Sequence, residues 1–155
     1  MDLVIDKPAS VRGYSLHRIV EQIGGNALWS ENNKQVIVRK RQDPQPIYEI
    51  GKLLVFEVTA CVSTGRKHRY YPTSDWRVRH EWFTQQAAKN GFEVMGVHVT
   101  GGRKLVEKDG SRFTVDASKF VGLLKVTDGQ AFSKCLTSGI GRVGKSFGLG
   151  LLIVN

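Results

Sequence analysis

At 155 residues the chain is long enough for one good hydrophobic core, or for two small ones sharing an interface. Lys and Arg number 23 against 14 Asp and Glu, a formal charge of +9 with a pI near 9.8, which favours a polyanionic partner over a small neutral substrate. No apolar run approaches a membrane span and Met1-Asp2 begins no signal peptide, so a membrane-spanning class is set aside and a cytoplasmic location is expected.

In chain order, Leu3-Val4-Ile5 reads as a short strand ended by Lys7-Pro8. Ser15 to Gly24 reads as a helix, with Leu16, Ile19, Val20 and Ile23 at helical spacing and Gly24-Gly25 as its stop. Residues 34–41 alternate into a strand with Val36 and Val38 on one face and Gln35, Ile37 and Arg39 on the other; Gln42 to Pro46 breaks it. Residues 52–62 form a strongly apolar strand, followed by a basic loop over 63–72. Thr73-Ser74-Asp75 supplies a cap for a helix running to Asn90-Gly91, with an apolar stripe of Trp76, Phe83 and Ala87. Phe92 to Val99 is a strand, and 105–115 is a hairpin turning at Asp109-Gly110. Lys119 to Val126 is the next strand; Thr127 and Gln130 form a capping box for a helix that Gly139 ends, and Leu149 to Val154 closes the chain.

From about residue 52 the order is β-α-β-β-α-β with an added hairpin, an α+β, ferredoxin-like (RRM-like) unit. The N-terminal third gives only β-α-β. The expected division is a reduced N-terminal domain over 1–50, completing its sheet against a larger domain over 51–155. Cys61 and Cys135 sit in apolar contexts and read as small core residues, and His68, His80 and His98 lack ligand spacing; no metal or cofactor is expected.

The C-terminal stretch from Ser138 to Gly150 has five glycines, at 139, 141, 144, 148 and 150, with Arg142 and Lys145 among them. Such a backbone bends tightly or lies against something bulky, and the two cations suggest that the neighbour is anionic. Gly139 to Ser146 matches the phosphate-loop pattern G-x-x-x-x-G-K-[ST] letter for letter. That motif works between a buried strand and a long helix. Here a helix precedes it and a short strand follows, so nucleotide hydrolysis is set aside.

On a helical wheel, Tyr14, His17 and Glu21 cluster along the flank of the apolar face, and Arg18 follows. A phenol and an imidazole at such a boundary suit RNA cleavage by its own 2′-hydroxyl, in which a base takes the 2′-proton and an acid protonates the departing 5′-oxygen. On the residues alone, the plainer readings are His17 as a boundary histidine without a role and Glu21 as a surface partner of Arg18, and Tyr14 is equally a capping aromatic. Four basic clusters accompany them: Arg39-Lys40-Arg41; Arg66, Lys67 and Arg69 with Tyr70 and Tyr71; Arg103, Lys104, Lys108 and Arg112 on the hairpin; and Arg142 with Lys145. Such cations grip phosphates and tyrosine faces stack on unpaired bases. Arg77 and Arg79 read as a solvated helix face.

Gly-Ile-Gly, a basic stretch, then Lys145-Ser146-Phe147-Gly148-Leu149-Gly150-Leu151-Leu152 resembles the glycine-rich signature of the CRISPR repeat-RNA-processing endoribonucleases, type I-E (CasE-like) branch, in a shortened form. Phe120 to Asp128 is similar to that branch's strand-then-Asp lead into the last helix, and Tyr14-Ser15-Leu16-His17 to its Tyr-x-Leu-His helix start. Residues 142–147 make the spacing between the two Gly-x-Gly pairs one residue longer than the family's usual one. The resemblance implies His17 and Tyr14 as catalytic residues, and RNA contact near the cut phosphate for Arg142 and Lys145. Arg18, Arg39, Arg41, Arg66, Lys67, Arg69, Arg103, Lys104 and Arg112 are counted as further RNA-binding cations. It implies an endoribonuclease that cuts a CRISPR repeat stem-loop without metal, leaves a 2′,3′-cyclic phosphate and a 5′-hydroxyl, stays on its product and joins a crRNA-guided effector complex. The alternative is a catalytically weak or inactive subunit that holds the crRNA hairpin.

Overall fold

The computed structural model describes residues 2–7, 13–63 and 76–155. The first part of the chain contributes β1 (Leu3–Asp6), α1 (Gly13–Gly24), β2 (Ala27–Glu31) and β3 (Gln35–Lys40). They build a three-stranded antiparallel sheet in the order β1-β3-β2, with Val4 opposite Ile37 and Trp29 opposite Val38. Leu16 and Val20, one turn apart on α1, bury against Trp29, Val36 and Val38. β2 was not expected from the sequence. It exists because Asn32 Oδ1 accepts from the backbone N–H groups of Lys34 and Gln35, both at 2.8 Å, turning the chain straight into β3.

The expected β-α-β is therefore β-α-β-β. Its strands form a ladder of their own and pair with none of the second sheet among the described residues, which corrects the expectation of a shared sheet. Residues 41–51 hold turns and extended chain, with neither helix nor strand.

The rest comprises β4 (Leu53–Ala60), α2 (Trp76–Lys89), β5 (Phe92–Thr100), the hairpin β6 (Arg103–Lys108) and β7 (Ser111–Asp116), β8 (Ser118–Val126), α3 (Gly129–Ser138) and β9 (Ile153–Val154). The sheet order β5-β8-β4-β9 is the antiparallel arrangement of a ferredoxin-like β-α-β-β-α-β unit, with β6 and β7 as an inserted two-stranded ribbon. Leu54, Phe56, Val58 and Ala60 alternate inward along β4. They meet Phe83 and Phe92, and Phe83 stacks on Phe120 at 4.4 Å between ring centroids. Each such ring taken from water stabilises the fold by roughly 1.5–3 kcal/mol. Asp109 (φ 51) and Gly110 (φ 79) turn the hairpin with two left-handed residues, the pairing that Asp-Gly favours.

Three local readings shift. The N-cap of α3 is Asp128 rather than Thr127; its carboxylate accepts from the Gln130 and Ala131 N–H groups at 3.1 Å. In α2, Trp76 is exposed against His80 and Arg77, while Trp82 stacks on Phe120 in its place. Arg79, read as solvated, is buried. Its guanidinium donates to Ser118 Oγ at 2.8 Å and Asp116 Oδ1 at 3.0 Å, and Asp116 Oδ2 accepts from Ser118 Oγ and from Val62 N–H. With all its oxygens engaged, this buried pair ties α2 to the ends of β4 and β7. The basic loop and its Arg66, Lys67 and Arg69, together with the Thr73–Asp75 cap, lie outside the described residues. Among the described residues no helix is long and apolar enough to cross a membrane.

Candidate nucleic-acid interface

The loop from Gly139 to Gly150 is closed by its own backbone. Ile140 N–H donates to Gly150 O at 2.8 Å, Phe147 and Leu149 N–H both donate to Gly144 O, and Gly150 N–H reaches Thr59 O on β4. Lys145–Phe147 forms a single 3-10 turn, and no helix follows it, so the phosphate-loop match lacks its helix. Gly148, at φ 81, lies flat on the Trp29 ring; a Cβ there would stand 2.5 to 2.9 Å from three ring carbons. Glycine at this position is thus demanded twice, by the left-handed backbone and by the close approach. Cys61, Val106, Val115 and Leu149 make a small core beneath the loop and hairpin, with Val143 and Phe147 on its rim.

α1 packs against both β6 and the Lys145–Phe147 turn, which brings His17's helix to the glycine loop. The His17 side chain is 18% exposed, and its Nε2 stands 3.3 Å from Glu21 Oε1, one turn along the helix. Glu21 is half exposed, so this i, i+4 pairing sits at the edge of solvent. Tyr14 lies in the first turn of α1, with its side chain outside the described set.

The sequence-predicted cations divide by burial. Arg18, Arg103, Arg112 and Arg142 are exposed; Arg112 pairs with Glu107 at 2.6 Å across the hairpin. Lys145 is half-buried, and its pKa is lowered by burial first and by the neighbouring Arg41 guanidinium second. Arg41 donates to the Thr137 and Ser138 carbonyls at the end of α3, so it sits under the start of the loop.

Arg39 is a correction. It is 5% exposed and spends its guanidinium on the Asp2 carboxylate at 2.8 and 2.7 Å, and on the Leu136 and Leu152 carbonyls at 2.9 and 2.8 Å. It holds the N-terminal sheet to α3 and the final strand, where a phosphate has no access.

Lys104 is also turned inward. Its ammonium lies 2.5 Å from Glu31 Oε1 and 5.0 Å from the Trp29 ring centroid, and donates to the Phe147 carbonyl. Glu31 Oε2 accepts from Lys7 at 2.9 Å. Burial pushes the Glu31 carboxyl up, but two ammonium groups more than offset it and its pKa is lowered. The Lys104 pKa is also lowered, because burial outweighs its share of a single carboxylate. Sequence reasoning did not single out Lys7, Trp29 or Glu31. The short Leu28-Trp29 run between two asparagine-containing turns is the signal that would have found β2 and hence Glu31. The Trp29 indole N–H has no hydrogen-bond partner among the described residues.

Cys61 and Cys135 are buried free thiols, as their apolar contexts implied, and burial pushes them up to about 11 and about 12. Among the described residues, no three His, Cys, Asp or Glu side chains gather as metal ligands.

Comparison with solved structures gives the same fold over nearly the whole chain. A CRISPR endoribonuclease Cse3 bound to 19 nt RNA matches with a TM-score of 0.84 at 20% identity, covering 99% of this chain and 98% of that one. Thermus thermophilus Cse3 bound to an RNA representing a pre-cleavage complex gives 0.81 at 20% identity, over 99% and 97%. The CRISPR-associated protein Cas6e from Escherichia coli str. K-12 gives 0.78 at 21% identity, over 99% and 98%. No curated protein matches the sequence significantly. The family model described as CRISPR associated protein matches residues 15–155, which leaves out β1, the segment after it and the first two residues of α1, Tyr14 among them. With this match across α1, the hairpin and the glycine loop, the chain belongs to the CRISPR associated protein family.

Proposed function

We propose that this chain is an endoribonuclease that binds a CRISPR repeat stem-loop and cleaves precursor crRNA at the base of the stem without metal. Residues 1–50 then act as a reduced first ferredoxin-like domain and 51–155 as the second. The observation that carries this reading is His17, mostly buried and held by Glu21, on the helix that packs against the Lys145–Phe147 turn.

In-line attack by the 2′-hydroxyl needs proton transfer at two oxygens and cations around the phosphorus. His17 takes one proton role, with Tyr14 in the preceding turn, and Glu21 fixes the imidazole plane. Arg142 and Lys145 supply positive charge at the phosphate. The 5′-oxygen leaves with a proton, giving a 5′-hydroxyl and a 2′,3′-cyclic phosphate. Arg18, Arg41, Arg103 and Arg112, with Arg66, Lys67 and Arg69, complete the surface along the stem. The fold is that of proteins whose structures include "Cse3 bound to 19 nt RNA" and a "CRISPR RNA-guided surveillance complex", which supports crRNA as the ligand and an effector complex as the setting.

The test is incubation of the protein and its His17→Ala variant with labelled repeat RNA in EDTA. One cut that persists in chelator and disappears in the variant is expected. Tight binding with no cut would refute the nuclease and leave a subunit that holds the crRNA hairpin. A cut that survives the substitution would remove His17 from the mechanism.

A further inference from the structure

Lys104 reads in the sequence as one more cation on a basic hairpin, and the structure gives it a different setting. Along β6, Lys104 shares a face with the fully buried Val106, whereas Arg103 and Leu105 face outward. The Lys104 side chain is 16% exposed, Glu31 is 14% exposed and Lys7 is 11% exposed. An ammonium has three N–H groups. Lys104 directs them among Glu31, the Phe147 carbonyl and the face of Trp29.

These contacts converge on one object. Phe147 ends the 3-10 turn, and Gly148, the next residue, rests on the same Trp29 ring that Lys104 covers. Phe147 also touches Phe113 edge-on from the hairpin, at 5.6 Å between centroids. Glu31 closes the arrangement from the N-terminal sheet, with Lys7 on its second oxygen. To reach an RNA phosphate, Lys104 would leave the Phe147 carbonyl without its donor and Glu31 with one ammonium in place of two, in a site that burial makes costly for a carboxylate.

We infer that Lys104 is a positioning residue: bridging Glu31 and the Phe147 carbonyl, it fixes the Lys145–Phe147 turn against α1 and so sets the rate of the cut rather than the grip on RNA. This rests on the reading above, in which His17 and the glycine loop serve one site. Arg103, its neighbour on the outward face, contacts the phosphates.

The prediction separates rate from affinity. Lys104→Met keeps the apolar stem and removes the charge. It is expected to slow cleavage of bound repeat RNA about tenfold or more while leaving Kd within about twofold, the signature of an interaction lost only in the transition state. The slope of log Kd against log salt should stay at the wild-type value, whereas Arg103→Ala should reduce its magnitude by about 0.7–0.9. Lys104→Arg, which still donates to both oxygens, should recover part of the rate, and Glu31→Gln should slow the cut in the same direction as Lys104→Met.

A readout independent of cleavage is hydrogen exchange at the Phe147, Leu149 and Gly150 amides in RNA-free protein. It should accelerate in Lys104→Met and in the milder Glu31→Gln, and stay unchanged in Arg103→Ala. If the wild type does not cut at all, the nuclease reading fails by itself and the exchange result still decides this one. Unchanged exchange in both Lys104→Met and Glu31→Gln would overturn the inference. A salt slope that falls in Lys104→Met as it does in Arg103→Ala would overturn it as well.

Discussion

Replacing Gly148 with alanine tests whether the loop is seated on Trp29 as tightly as its geometry says. Two costs add at this position. The backbone stands at φ 81, where a Cβ costs about 1–2 kcal/mol. The new methyl would also lie 2.5, 2.7 and 2.9 Å from ring carbons of Trp29, a side chain with no exposure and with Leu16, Val20, Val36 and Val38 around it. Forcing such a core to shift adds roughly 1–3 kcal/mol, for a total near 2–5 kcal/mol. Gly51 isolates the first cost: it has φ 89, and a Cβ there would meet nothing within 4 Å. Gly51→Ala should therefore cost about 1–2 kcal/mol. The assay is urea unfolding of both variants beside the wild type, followed by circular dichroism, with the slopes compared to confirm that unfolding stays two-state. The Gly148 variant should be clearly the less stable of the two. Equal losses would mean that the ring gives way freely, and would refute the claim that Trp29 fixes the loop.

Arg39→Ala should destabilise the protein by about 2–4 kcal/mol, below the full cost of breaking a buried pair because Asp2 is 27% exposed. Its RNA salt slope should match the wild type; a stable variant with a reduced slope would restore Arg39 as a phosphate contact. The Glu31 carboxyl lies below its ordinary 4.5 in the folded protein, so its stabilising contribution is present above that pH and is lost as pH falls through the folded value. Glu31→Gln should accordingly show a shallower loss of thermal stability in acid, and parallel acid curves for the two proteins would contradict the pairing. With thiols at about 11 and about 12, Cys61 and Cys135 should react with a thiol reagent at neutral pH only on unfolding; prompt labelling of both in native protein would contradict their burial.

What the sequence made legible was what short stretches decide. Asp109-Gly110 turns the hairpin through two left-handed residues, α3 begins beside a capping side chain, and the apolar run over 52–62 contains β4, although which of its faces is buried was not legible. The same locality explains the misses. Arg39 and Arg79 carry the same charge as the exposed arginines, and only partners far along the chain (Leu136 and Leu152 for one, Asp116 and Ser118 for the other) draw them inside. Lys104 belongs with them, since its partner Glu31 comes from the N-terminal sheet, far back along the chain. The candidate site was legible as a list of residue types near both ends of the chain. That α1 meets the glycine turn depends on how the first sheet docks, which no local pattern encodes.

Arg39 also imposes an order of assembly. Its carbonyl partners are 97 and 113 residues further along, so the first sheet cannot finish docking until α3 and the approach to β9 exist. Closing loops of that length costs chain entropy before the contacts compensate for it. In synthesis from the N-terminus, the His17 helix and its sheet emerge first, whereas the turn that α1 packs against emerges only after the hairpin, β8 and α3. The meeting of α1 with the Lys145–Phe147 turn therefore forms only after the hairpin, β8 and α3 have been made.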